Sequence, residues 1–132
     1  MAKWLLKTEP ASYGWADLVR DGGTEWDGVR NAAAAINLRA MRQGDLALLY
    51  HSVTEKAVVG TVRITREARK DGAEGNWVSV AIEPVDPLTH PVTLAAMKAD
   101  PRLAGLAMLR QSRLSVSPVG EEEWAVLMEL AG

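Results

Sequence analysis

Residues 45–50 read DLALLY, residues 57–65 read AVVGTVRIT, and residues 76–85 read NWVSVAIEPV. The first segment is almost continuously apolar, as in a buried strand, and the other two alternate apolar and polar residues. Residues 70–75, KDGAEG, have the glycines and charges of a hairpin loop. Together the segments predict three consecutive antiparallel strands. Gly60 predicts a bulge or a close approach of another segment within the second strand.

The residues before these strands predict one strand and two helices. Residues 3–8 are mostly apolar and are followed by a proline, which is typical of a strand that ends there. Ser12 is a suitable N-cap for a short helix that runs to about Arg20. Asn31 is a suitable N-cap for a second helix, over residues 32–41, which begins with four alanines.

The residues after the three strands predict a helix, a strand and a last helix. Thr93 caps a helix to about Ala99, residues 114–119 form a strand, and a final helix runs to Leu130. Three glutamates in the first turn of the final helix suit its dipole. This order predicts an α+β fold in which the strands curl into a small β-barrel flanked by short helices.

Composition excludes several classes of protein. The 132 residues are 48% hydrophobic and 24% charged, as in one soluble globular domain over residues 1–132. Apolar runs reach only about five residues, too few for a membrane span, so we expect no membrane partner. With no cysteine and two histidines, we expect no metal and no cofactor. Residues 1–7 lack the features of a signal peptide, which predicts a cytoplasmic protein.

Positive charge is concentrated in one part of a chain whose net charge is −2. Residues 28–70 contain eight Lys and Arg against three Asp and Glu. One basic face on an acidic protein suits a polyanion that binds at a single site. The same count is equally compatible with charges that scatter over the folded surface.

The segment WDGVRN, residues 26–31, combines several groups that bind flat polar ligands. Trp26 offers a ring for stacking, Gly28 lets the backbone approach a ligand, and Arg30 can bind a phosphate or a base edge. Asn31 either pairs with a base edge or caps the following helix, which is its commonest role. These features predict part of a ligand pocket.

The polar side chains of His51 and Ser52 follow the first of the three strands, where they can contact a ligand. An alternative is a small hydrolase or nuclease accessory in which both act with a carboxylate, Asp45 or Glu55. No Gly-x-Ser-x-Gly motif is present, and adjacent strand residues point to opposite faces, so His51 is poorly placed to activate Ser52. We therefore expect a protein without catalytic activity.

Two further segments hold candidate contact residues. Residues 110–113, RQSR, place two arginines and two polar side chains before the last predicted strand, where they can contact phosphate. Lys7 and Thr8 end the first predicted strand and can lie at the rim of the barrel.

Taken together, these segments resemble the EVE domain family, in particular its bacterial single-domain members. The matching strings lie in the family's order and span nearly the whole chain. They are WLLKTEP (4–10), WDGVRN (26–31), GDLALLYHS (44–52), VVG (58–60) and RQSRLSV (110–116).

The resemblance implies a PUA-like fold and non-catalytic binding of nucleic acid that contains a modified base. The base would be of the 5-methylcytosine type in DNA or a modified base in RNA, and it would be flipped out and stacked against Trp26. Contacts to the nucleic-acid backbone would come from Arg110, Ser112 and Arg113. The implied base-binding residues are Lys7, Thr8, Trp26, Val29, Arg30, Asn31, His51 and Ser52.

A third hypothesis is a protein-interaction module that has the same PUA-like fold but lacks the ligand pocket. In that case Trp26 would be largely buried in the core. Under every hypothesis an effector protein would have to come from another chain. The protein would be a monomer or a weak homodimer formed through an exposed strand edge.

Overall fold

Six strands and five α-helices follow one another along the chain, and the computed structural model describes residues 1–132. The strands are β1 (Lys3–Thr8), β2 (Thr24–Trp26), β3 (Leu46–His51), β4 (Ala57–Lys70), β5 (Val78–Thr93) and β6 (Val116–Val119). The helices are α1 (Trp15–Asp21), α2 (Ala32–Ala40), α3 (Leu94–Ala99), α4 (Ala107–Arg110) and α5 (Glu121–Leu130). The longest helix has 10 residues, and none has the length and apolar character that crossing a membrane requires.

All six strands belong to one mixed sheet in the order β2-β5-β4-β3-β1-β6. The three consecutive strands β3, β4 and β5 pair antiparallel, which confirms the prediction from their sequence. Strand β1 lies parallel to β3 and antiparallel to β6. The short strand β2 pairs antiparallel with β5. The α+β class is therefore confirmed.

The sheet is open, so the prediction of a closed barrel is wrong. The edge strands β2 and β6 do not pair, and α2 packs against β4, β5 and β6 instead. The side-chain amide of Asn37 in α2 donates a hydrogen bond to the carbonyl of Val116 in β6, at 2.7 Å. Because this helix shields the sheet and binds an edge carbonyl, strand pairing is not needed to satisfy that group.

Strand β5 continues eight residues past the predicted end at Val85, through several prolines. Beyond its short pairing with β2 at residues 80–82, β5 has no neighbour on that side. Proline lacks an N–H and is tolerated at such a free edge, so Pro84 and Pro87 do not end the strand. The N-cap of α1 is Gly14, not Ser12 as predicted.

The two faces of the sheet carry separate hydrophobic cores. Leu6 and Leu49 lie on the face covered by α1 and α2, whereas Leu5 and Leu48 lie on the face covered by α3 to α5. Adjacent residues of a strand point to opposite faces, so strands covered on both sides are apolar throughout.

Gly60 is the point of close approach that its sequence context predicts. The register of β4 against β5 shifts between Val58 and Gly60, and a side chain at residue 60 would overlap the indole ring of Trp15. The absence of a side chain therefore lets the start of α1 pack directly on the sheet.

Candidate functional site

A cleft of about 540 Å³, which we call the Trp26 cavity, lies beside the end of β1, strand β2 and the turn that follows it. Its lining is mostly polar, with Tyr13, Trp26 and Val29 as the hydrophobic residues. The full lining comprises Lys7, Thr8, Glu9, Ser12, Tyr13, Thr24, Glu25, Trp26, Asp27, Gly28, Val29, Arg30 and Ser115. The volume falls in the range of about 300–1,000 Å³ that is usual for ligand pockets.

Five of the eight predicted base-binding residues lie together in this cavity: Lys7, Thr8, Trp26, Val29 and Arg30. Trp26 is only 9% exposed and belongs to the core on the α1 and α2 face. The protein-interaction hypothesis predicts this burial. The cavity beside the ring is a feature that the same hypothesis does not predict.

The turn after β2 is held by a residue that the sequence analysis missed. Asp71, in the β4–β5 loop, accepts hydrogen bonds from the backbone N–H of Gly28 and from the guanidinium of Arg30, both at 2.9 Å. These bonds hold the pKa of Asp71 below its ordinary value. Gly28 has a φ of 75°, which other residues rarely adopt. The guanidinium of Arg30 also lies 5.7 Å from the ring of Trp77.

The carboxylates of the cavity differ in their partners. Glu25 accepts two hydrogen bonds from Arg66 and one from Ser79, and these lower its pKa to about 2. Glu9 and Asp27 have no side-chain hydrogen bond or ion pair in the structure, so their oxygens are free acceptors. On the other wall, burial lowers the pKa of Lys7, whose ammonium donates to the carbonyl of Ser112 at 2.9 Å.

The sequence analysis missed Tyr13, Glu9 and Asp27 as cavity residues. Glu9 and Asp27 belong to the strings quoted above, so their position beside Thr8 and Trp26 was the available signal. Tyr13 reaches the cavity because its backbone carbonyl accepts a hydrogen bond from the hydroxyl of Thr8, at 2.6 Å. Nothing in the sequence indicates the role of Asp71, because it lies 43 residues along the chain from Gly28, which it contacts.

The other three predicted base-binding residues do not line the Trp26 cavity. Asn31 caps α2, with its side-chain oxygen 2.9 Å from the N–H of Ala34. His51 is 8% exposed and its Nε2 accepts a hydrogen bond from the backbone N–H of Trp15 at 3.0 Å. Ser52 donates to the carbonyl of Thr8 at 3.1 Å. These contacts give the three residues structural roles around the cavity.

The arrangement proposed for a hydrolase is only partly present. Nδ1 of His51 lies 2.6 Å from the carboxylate of Glu55, but Nε2 is occupied by a backbone N–H and is not bonded to Ser52. Asp45 is buried and accepts hydrogen bonds from the indole of Trp4 and from a backbone N–H. The structure therefore forms no Ser–His–acid relay from these residues.

The predicted backbone-binding residues lie apart from the Trp26 cavity. Arg110 and Arg113 are exposed and their side chains form no hydrogen bond or ion pair. Ser112 lines a second cavity of about 210 Å³, which Ser52 and Lys56 also line. Lys7 is the one predicted residue that borders both cavities.

Comparison with known proteins places this geometry in a family. The sequence pattern of the EVE domain matches residues 2–130. A Schizosaccharomyces pombe protein is 32% identical over 87% of this chain, and the match spans 57% of that protein's length. The Rhodopseudomonas palustris protein Rpa0253 is 47% identical, with a TM-score of 0.95 over 100% of this chain and 94% of its own.

Two further solved structures contain nucleic acid. Human THYN1, in complex with 5-methylcytosine-containing DNA, is 26% identical, with a TM-score of 0.92 over 99% of this chain and 98% of its own. The YTH domain of Zygosaccharomyces rouxii MRB1, in complex with N6-methyladenosine RNA, is 12% identical, with a TM-score of 0.64 over 98% of this chain and 86% of its own. The second likeness shows a shared fold alone. On its sequence pattern and its fold, the chain belongs to the EVE domain family.

Proposed function

We propose that this chain is a non-catalytic module that binds a modified base in nucleic acid, with the flipped base held in the Trp26 cavity. The observation that carries the proposal is the lining of the cavity. It contains two aromatic side chains, Tyr13 and Trp26, together with free hydrogen-bonding groups. The complex of human THYN1 with 5-methylcytosine-containing DNA supports the same class of ligand.

The free carboxylates fit a base that carries an exocyclic amino group. Carboxylate oxygens accept hydrogen bonds from the N4 amino group of cytosine, and the N6 amino group of adenine offers a similar donor. Glu9 and Asp27 are the acceptors without a partner in the cavity. Stacking contributes about 1–3 kcal/mol per base, which offsets part of the cost of flipping the base from a duplex.

A methyl group on the base would contact the apolar part of the lining, where Trp26 and Val29 lie. Burying one methyl contributes only about 1–1.5 kcal/mol, so we expect roughly tenfold discrimination between the modified and unmodified base. Larger discrimination would require that the modification also change a hydrogen bond.

The test is fluorescence anisotropy of labelled DNA and RNA oligonucleotides, each with and without 5-methylcytosine or N6-methyladenine. We expect about tenfold tighter binding of one modified oligonucleotide. Asp27→Ala removes a free acceptor and should weaken binding of that oligonucleotide, whereas Glu122→Ala, in the exposed first turn of α5, should not. Trp26→Phe is preferable to Trp26→Ala, because removing a core indole costs about 3–5 kcal/mol of stability.

Equal binding of modified and unmodified oligonucleotides would contradict the proposal. The burial of Trp26 favours one competing function, a protein-interaction module. That function predicts no binding to any oligonucleotide in the panel and no change in tryptophan fluorescence when nucleosides are added.

A further inference from the structure

A second groove, which we call the Arg39 groove, lies between the C-terminal end of α2 and the β4–β5 hairpin. It has a volume of about 680 Å³. Four cationic side chains line it, from Arg39, Arg42, Arg69 and Lys70, against one carboxylate, from Glu67. None of the base-binding or backbone-binding residues implied by the family resemblance lines this groove.

Ion pairs elsewhere in segment 28–70 explain why unpaired positive charge is concentrated in the Arg39 groove. Of the basic residues in segment 28–70, Arg63 pairs with Glu83 and Arg66 pairs with Glu25. Arg42 and Lys70, by contrast, have no ion-pair partner in the structure. The basic stretch therefore folds into neutralised pairs on the sheet and a groove of largely unpaired cations beside it.

Neither of the remaining two cations of the groove has a carboxylate of its own to pair with. Arg39 donates to the backbone carbonyl of Asn76, which leaves its positive charge without a counter-ion. The guanidinium of Arg69 lies 3.8 Å from a carboxylate oxygen of Glu25, and that carboxylate is already held by Arg66. Like charges brought together in this way repel one another, and a bound polyanion relieves that repulsion.

A contact between two side chains links the groove to the Trp26 cavity. Arg30 lines the Trp26 cavity, and its guanidinium lies 5.7 Å from the ring of Trp77. Trp77 in turn lines the Arg39 groove. A strand that places one base in the cavity can thus follow Arg30 and Trp77 into the groove.

The two sites differ in the balance of their charges. Three carboxylates and two cations line the Trp26 cavity, whereas four cations and one carboxylate line the Arg39 groove. Glu9 and Asp27 repel phosphate from the Trp26 cavity but accept hydrogen bonds from a base. The cations of the Arg39 groove attract phosphate. We propose that the Arg39 groove binds the phosphate backbone of the nucleic-acid strand whose base occupies the Trp26 cavity. This inference rests on the proposed function.

The test compares two double variants that remove the same charge. Arg42→Ala with Lys70→Ala removes the two unpaired cations of the groove, and Lys98→Ala with Arg102→Ala removes two exposed cations in and just after α3. Anisotropy is measured for modified and unmodified single-stranded oligonucleotides over a range of salt concentrations. Thermal unfolding confirms that both variants remain folded.

The groove variant should weaken binding of both oligonucleotides by the same factor, about tenfold at low salt. The slope of log K against log salt should fall by about 1.4, since each phosphate contact to a single strand contributes about 0.7. The preference for the modified base should not change. The Lys98/Arg102 variant should bind like the wild type.

A wild-type slope in the groove variant, or an equal loss in the Lys98/Arg102 variant, would overturn the inference while leaving the modified-base preference intact. If the groove variant has a reduced salt slope but the wild type shows no preference for the modified base, the proposed function would be overturned and phosphate binding by the Arg39 groove would be supported. Absence of binding to every oligonucleotide would overturn both.

Discussion

Glu25 joins three strands through a single carboxylate. It lies on the edge strand β2, accepts two hydrogen bonds from Arg66 on β4, at 2.8 and 2.6 Å, and is bonded to the hydroxyl of Ser79 on β5. A bidentate pair with arginine is the strongest common ion-pair geometry, and it lowers the pKa of Glu25 to about 2. One wall of the Trp26 cavity therefore depends on the ionised state of this residue.

The pKa of Glu25 predicts a specific loss of stability in acid. Because the folded-state pKa of about 2 lies below the ordinary value of 4.5, the ionised carboxylate stabilises the fold above pH 4.5. That stabilisation is lost as the pH falls from 4.5 towards about 2. Glu25→Gln should lower the free energy of unfolding by about 1 kcal/mol at neutral pH, and the difference from wild type should shrink in acid.

Urea denaturation across this pH range measures the effect. Glu74→Gln is the matched control, because Glu74 is exposed and has no partner. A difference between wild type and Glu25→Gln that stays constant down to about pH 3 would contradict the assigned pKa.

The β4–β5 hairpin serves the site by holding another element in place. Asp71, at the start of its loop, bonds the turn that carries Gly28 and Arg30, and Trp77, at the end of that loop, lies beside the Arg30 guanidinium. Strand β2 has only three residues, so the turn that follows it gains little support from the sheet. The long hairpin supplies that support from a distant part of the sequence.

Loss of this clamp should loosen the turn without unfolding the protein. Asp71→Ala removes the acceptor of the Gly28 N–H, so hydrogen exchange at that amide should become at least tenfold faster. The exposed ion pair contributes little to global stability, so the free energy of unfolding should change by less than about 1 kcal/mol.

Glu74→Ala, in the same loop, should leave exchange at Gly28 unchanged. Equal exchange at Gly28 in wild type and Asp71→Ala would show that the turn keeps its conformation without the clamp.

The sheet as a unit is open, and α2 packs against the edge strand β6 and the strands β4 and β5. The register of β4 against β5 shifts at several points, and such bulges bend strands. Helix α2 then packs against β4, β5 and β6, with Ala34, Ala35 and Leu38 buried. Small side chains at the start of the helix allow it to pack closely on the sheet.

The hydrogen bond from Asn37 to Val116 should be important for holding α2 on the edge strand β6. Asn37→Ala leaves a buried edge carbonyl without its partner, which should lower the free energy of unfolding by about 1–2 kcal/mol. Ile36→Ala is the control, because Ile36 is 63% exposed on the same helix and should tolerate alanine with little change. Equal effects of the two substitutions in chemical denaturation would contradict this role for Asn37.

Local patterns in the sequence determined those features whose causes lie within a few residues. Asn31 caps α2 through an amide three residues away. A continuous apolar run predicts β3, and alternating apolar residues predict β4 and β5. The strings around Trp26 and Lys7 likewise predicted residues that line one cavity. The sequence leaves two roles open for Asn31, a helix cap or a base contact. The hydrogen bond from the N–H of Ala34 to its side-chain oxygen shows that it is the cap.

Features whose partners are far apart in sequence were decided by tertiary structure alone. His51 bonds the N–H of Trp15 across 36 residues, so a side chain that resembles a ligand contact instead holds the start of α1. Asp71 reaches Gly28 across 43 residues. Tertiary structure also decided which sheet edges remain free and which cations lie together beside Arg39. Strand pairing and charge neutralisation both depend on long-range packing.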